Sequence, residues 1–275
     1  MDFEDDILDI WAWRKPWGGI AYTFYYAIPY YIAVFIVLYF EKKLHIMKTR
    51  DFWIKSGAFL LMAGLAKGFY WHQDVIRSFS GPGQTYFLFK VVNNLLRLFL
   101  YCIPMLIVKY YYDRDEKGLY GLRFDYFDYR PYLFMLLFMV PLITAASFLP
   151  SFQSSYPRIS PWMIDGVFGL NQFWITAIFE IAYGFNFTFI ELMYRGALVI
   201  GMVRILGKDA ILPMAVVYCV LHFGKPMGEA ISSIFGGYIL GIIAYRTRNI
   251  LGGVIIHMGV AWLMETAAFI QHYAK

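Results

Sequence analysis

This sequence is short of charge. Only 16% of its 275 residues are Asp, Glu, Lys or Arg, against roughly 25% in soluble domains, which excludes a water-facing globule. Cysteine is scarcer still. Cys102 and Cys219 both lie inside apolar runs, where a thiol acts as a small hydrophobe and a disulfide framework is excluded. The chain has no phosphate-binding glycine loop, no GxSxG elbow and no HExxH pair, so the enzyme classes built on those motifs are set aside. Repeats and low-complexity tracts are missing too. The net charge of +5 and pI near 9.0 are spread over short loops rather than gathered on one stripe, so no nucleic-acid partner is expected. The first residues carry Asp2, Glu4, Asp5, Asp6 and Asp9, the wrong charge for a cleavable signal peptide, and the first span is expected to stay in the mature protein.

Apolar residues are abundant: 60% of the chain is hydrophobic and 21% aromatic. They fall in runs near the roughly 20 residues a hydrocarbon core demands, at about 18–40, 53–71, 86–108, 131–150, 168–203, 210–223, 228–245 and 250–270. The expected fold is an all-α, polytopic membrane protein of about eight transmembrane helices, with residues 1–275 forming a single membrane domain in contact with lipid. The fifth run is too long for one simple span and holds Gly184 and Asn186, so a tilt, kink or split is expected there.

Lys and Arg collect in cytoplasmic loops. Lys42, Lys43, Lys48, Arg50 and Lys55 follow the first run, Arg204 and Lys208 the fifth, and Arg246 and Arg248 the seventh. Odd runs therefore end inside, and both termini are expected outside. The segment from Lys109 to Arg130 is of mixed sign and is read as a further inside loop. Trp11, Trp13, Trp17, Tyr70, Trp71 and Trp162 sit near run ends, as interface aromatics do.

An ionisable group at membrane depth is costly unless paired or lining a cavity, so each is a candidate for function. Such groups concentrate late in the chain: Glu180, Glu191, Arg195, His222, Glu229, His257 and Glu265. Glu191 and Arg195 are four apart with the carboxylate first, a favourable helical ion pair. His222 ends the sixth run and His257 sits midway along the eighth. Either imidazole alone reads as an interhelical hydrogen bond; two with a glutamate offer what a divalent metal, or a water losing its proton, requires in a dry site. Glu229 is read as a loop residue. Gly237, Gly241 and Ala244 form a small-residue stripe for helix packing. Lys90, Asn93, Asn94 and Arg97 are read as side chains snorkelling towards one membrane surface.

Taken in order, Glu191-Leu-Met-Tyr-Arg195-Gly196, Tyr218-Cys-Val-Leu-His222 and His257-Met-Gly-Val-Ala261 resemble the motifs of the CPBP family. These intramembrane proteases include CAAX prenyl endopeptidases and bacterial abortive-infection and bacteriocin-processing relatives. The resemblance runs from about Phe173 to the C-terminus, making residues 168–275 a CPBP-like core and leaving residues 1–167 as spans without recognisable motifs. It implies a membrane-embedded endopeptidase, multi-pass in a bacterial inner membrane, acting on a peptide or membrane-protein substrate. It further implies that Glu191, His222, His257 and Arg195 carry the chemistry, with a divalent metal such as zinc held by His222, His257 and Glu191.

Two positions depart from the family pattern. Ile190 stands where the family has its first glutamate, which activates water, and Ala261 where it has an asparagine that helps polarise the scissile carbonyl. Isoleucine carries no proton and alanine donates no hydrogen bond, so about two to four orders of magnitude from the base and about two to three from the oxyanion donor need a substitute. Glu191, Glu265 and Glu229 are the candidates. The alternatives are a catalytically inactive CPBP-like protein that binds a peptide or membrane partner, and a small-solute or proton transporter built on the same buried carboxylates and histidines.

Overall fold

In this computed structural model the described residues are 11–125 and 127–274. The acidic positions Asp2, Glu4, Asp5, Asp6 and Asp9 lie outside them. The main helices are α1 (Gly18–Phe40), α2 (Arg50–Gly68), α3 (Trp71–Phe79), α4 (Pro82–Tyr112), α5 (Arg130–Ala146), α6 (Gln172–Glu191), α7 (Ile211–Val220), α8 (Met227–Thr247) and α9 (Leu251–Tyr273). A ten-residue π-helix, Leu192–Gly201, continues α6 without a break. Among the described residues there is no strand, only one isolated bridge between Leu119 and Leu122. The protein is an all-α membrane protein.

Each apolar run holds a helix, but the helices differ in reach. α1, α4, α8 and α9 are long and apolar enough to cross a membrane, and α5 is apolar with 17 residues. α7 has ten residues, about 15 Å of helix, half of a hydrocarbon core of roughly 30 Å. The sixth run therefore does not span by itself. Lys55, expected among the loop charges that mark the inside, instead lies within α2 and is buried.

The chain divides into two compact units. The first comprises Met1–Phe69, Phe99–Phe127 and Phe189–Gly253. Within it α1 turns Tyr22, Tyr26 and Tyr30 inward at four-residue intervals while Ile20, Phe24, Ile28 and Ile32 stay exposed, the side that lipid covers. α1 and α2 approach at backbone distance: a Cβ on Gly64 would stand 2.3 Å from Thr23 N, and one on Gly68 2.3 Å from Gly19 N. Small residues at such crossings let dispersion contacts replace a hydrophobic drive that lipid does not supply. Gly237 against Tyr218, and Gly241 against Met214 and Ile211, do the same for α8 and α7, which is the packing role expected of that stripe.

The second unit comprises Tyr70–Leu98, Asp128–Thr188 and Val254–Lys275. Phe87, Ile159, Ile164, Ile175 and Phe179 form its core. Its polar groups pair internally. Arg97 donates to Asn186 Oδ1 at 3.1 Å, and Asn94 to the Lys90 carbonyl at 2.7 Å. The snorkelling reading of that stripe is thus corrected for Arg97, whose donor finds an amide oxygen on α6. The run is not split at Gly184 or Asn186: α6 continues through both, with Gly184 flat against Trp262, and the helix type changes only after Glu191.

Candidate active site

The site in the first unit is built where α6 becomes the π-helix. π-Helices bond residue i to i+5, are rare, and are frequent at functional sites. Glu191 is the last α-helical residue, and both it and Arg195 are fully buried. Arg195 Nη1 lies 2.9 Å from Glu191 Oε1, the pairing that the four-residue spacing predicts. The second carboxylate oxygen meets backbone: a Cβ added to Gly253 would stand 2.2 Å from Glu191 Oε2. Only glycine lets the first turn of α9 come this close, and the positive end of that helix favours a carboxylate there. Asn249 caps the same turn, its Oδ1 accepting from the Leu251 amide at 2.8 Å.

Tyr218 links this pair to His222. The Arg195 guanidinium lies over the Tyr218 ring, 4.0 Å from its centre, within cation–π range. The Tyr218 and His222 rings meet edge to face at 4.6 Å. His222 is buried, and its Nδ1 sits 2.8 Å from the Tyr218 carbonyl oxygen. A carbonyl only accepts, so Nδ1 carries a hydrogen, and in the neutral ring Nε2 then holds the lone pair, the tautomer suited to taking a proton or binding a metal. Tyr218 has no role in the sequence reading beyond its place in the aromatic-xxx-His motif. The signal was present there, since residues four apart share a helix face.

His257 belongs to the second unit, where its ring lies 4.3 Å from that of Phe187. Ala261 is buried in the same unit, and Ile190 is buried in the first. Of the candidate substitutes, Glu265 accepts the Arg158 backbone amide on both carboxylate oxygens, at 3.0 and 2.9 Å. Glu229 sits in the first turn of α8, not in a loop, and pairs with Lys225. Neither has both oxygens at liberty. Among the described residues no group of three or more His, Cys, Asp or Glu side chains is arranged to hold a metal ion.

Residues 168–263 match the family model described as type II CAAX prenyl endopeptidase Rce1-like. The match supports the resemblance of this segment to the CPBP family. The matched stretch contains Glu191, Arg195, Tyr218, His222 and Gly253, the residues from which the site in the first unit was built, and also His257. No curated protein and no solved structure matches the chain. The matched family is one of membrane-embedded proteases acting on CAAX sequences, and the apolar helices agree with a place in the membrane.

Proposed function

We propose that the protein is a membrane-embedded endopeptidase that hydrolyses a peptide bond at or within the membrane, with a prenylated CAAX-type C-terminus as the first substrate to test. The observation that carries this reading is the buried relay from Glu191 through Arg195 and Tyr218 to His222, inside the segment that matches the protease family. Glu191 is already engaged by Arg195 through Oε1 at 2.9 Å. The proton of the attacking water is therefore assigned to His222 Nε2, which passes it to the amine nitrogen as the C–N bond breaks. The resemblance to the family assigns His257 the oxyanion role. A buried, protein-lined site keeps each of these interactions strong by excluding bulk water.

Zinc is the cofactor that the resemblance implies. The described side chains form no three-ligand group of that kind, and the water chemistry above uses side chains alone. On this reading, dialysis against a chelator leaves activity in place; loss of activity restored by zinc assigns the metal instead.

The test is cleavage in proteoliposomes. Wild type should release the C-terminal tripeptide from a prenylated CAAX peptide, and His222→Ala and His257→Ala should each abolish release while keeping the wild-type melting profile. Cleavage that survives loss of both histidines ends this reading. Ile190 and Ala261, both buried where the family has polar groups, favour a second reading: an inactive relative that holds a membrane peptide without cutting it. Wild type that binds the peptide and releases nothing supports that alternative. A bacterial inner membrane is the proposed location.

A further inference from the structure

Outside the family-matched segment, a polar cluster holds both sides of Glu191. Lys55 on α2 is buried, and its ammonium reaches three acceptors: Asp113 Oδ1 at 2.9 Å, Asp113 Oδ2 at 2.8 Å and the carbonyl of Gly201. Gly201 is the last residue of the π-helix. Tyr120, also fully buried, donates its hydroxyl to Asp113 Oδ2 at 2.9 Å. The Tyr120 residue then lies along the π-helix itself. A Cβ on Gly196 would meet the Tyr120 carbonyl at 2.9 Å, and one on Gly201 the Tyr120 ring at 3.2 Å. Gly196 and Gly201 are five apart, the repeat that i→i+5 bonding stacks on one face; an α-helix would turn them apart.

The same loop holds the far side. Gly121 accepts the Ile250 amide at 2.9 Å, Arg123 Nη2 donates to the Thr247 carbonyl at 3.0 Å, and Asn249 donates to the Arg123 carbonyl at 3.3 Å. Those residues form the turn that delivers Gly253 to Glu191 Oε2. Tyr120 keeps a left-handed backbone, φ 45°, which costs a bulky residue about 1–2 kcal/mol. Strain of that kind persists only where surrounding contacts over-determine it. Burial and the adjacent Asp113 carboxylate push the Tyr120 phenol up, so the hydroxyl stays a donor.

We infer that Lys55, Asp113 and Tyr120 are positioning residues: a buried brace that fixes the π-helical register and the start of α9, and through them the Glu191 carboxylate. The brace serves the hydrolytic site proposed above and rests on that reading. None of the three touches the reacting atoms.

Two measurements test it. In hydrogen exchange, Tyr120→Phe, which loses one hydroxyl, and Lys55→Met should each speed exchange of the Leu192–Gly201 amides by about fivefold, the effect of a hydrogen bond worth roughly 1 kcal/mol, with distant helices unchanged. In kinetics both variants should lower kcat with KM unchanged. The pair Lys55→Met with Asp113→Leu removes both charges and should regain melting temperature, as apolar replacement of buried ion pairs does, yet keep the low kcat, because the bond to the Gly201 carbonyl is still missing. Recovery of kcat together with stability would reduce the brace to ordinary packing and overturn the inference. So would wild-type exchange across Leu192–Gly201 in folded Tyr120→Phe. If wild type cleaves nothing, the hydrolytic reading fails by itself, and the exchange measurement alone decides whether the brace holds the π-helix.

Discussion

Arg195 serves two partners at once: its Nη1 lies 2.9 Å from Glu191 Oε1 while its guanidinium rests 4.0 Å above the centre of the Tyr218 ring. Both charges are fully buried, so each is tolerated only because of the other. Arg195→Leu should strand the Glu191 carboxylate and destabilise the fold by about 3–5 kcal/mol. The double variant Glu191→Leu with Arg195→Leu should recover most of that. Thermal unfolding in detergent reads both, and unchanged stability in Arg195→Leu would refute the pairing.

Gly253 makes a sharper steric test, since a single methyl there collides with a carboxylate oxygen 2.2 Å away. Gly253→Ala should cost about 1–3 kcal/mol through overpacking and should displace Glu191. Gly236→Ala is the matched control. Nothing stands within 4 Å of a Cβ at Gly236 in α8, so alanine there should be neutral or stabilise by about 0.5–1 kcal/mol through helix propensity. Equal melting temperatures for the two variants would show that Gly253 is not held against Glu191.

The helices were legible because lipid imposes a simple rule: every apolar run long enough to need burial becomes a helix. The pairing of Glu191 with Arg195 was legible for the same local reason, a fixed spacing on one face. What surrounds that pair was not. A π-helix changes which residues share a face without changing composition, so nothing in Leu192–Gly201 announces it. Lys55 looked like one more basic loop residue because charge counting sees position along the chain and not the carboxylate 58 residues later. Asp113 and Tyr120 were hidden in a loop whose mixed charge suggested solvent, whereas the chain folds them back under α2 and the π-helix. Long-range partners of single polar residues leave no periodic trace.

Loop charge predicts the orientation. Basic residues follow the first and fifth runs, so the loops holding Lys42, Lys43 and Lys48, and Arg204 and Lys208, should lie inside, and cysteine labelling of single-cysteine variants at Ser80 and Lys208 checks it from intact cells. Ser80, in the Ser-Gly-Pro-Gly turn, should react with an impermeant reagent and Lys208 should not. Reaction at Lys208 alone would invert the topology.

The last prediction concerns the two positions at which this chain departs from the family pattern it resembles. Ile190 and Ala261 are both buried, and each replaces a polar group with one that neither moves a proton nor donates a hydrogen bond. If His222 has taken over as proton acceptor, wild type should already cleave, and Ile190→Glu should add a second base whose carboxylate competes with Glu191 for Arg195. The expected result is lower stability with little gain in kcat. If instead the site is an inactive remnant, wild type should release no product, and the double variant Ile190→Glu with Ala261→Asn should recover cleavage, because general-base and oxyanion contributions of about two to four and two to three orders of magnitude are restored together. Single restorations should recover less than the double, since each leaves the other step unassisted. Measuring product release for wild type, both single variants and the double in one proteoliposome assay separates the cases. A double variant that folds, binds the peptide and still releases nothing would remove hydrolysis from both.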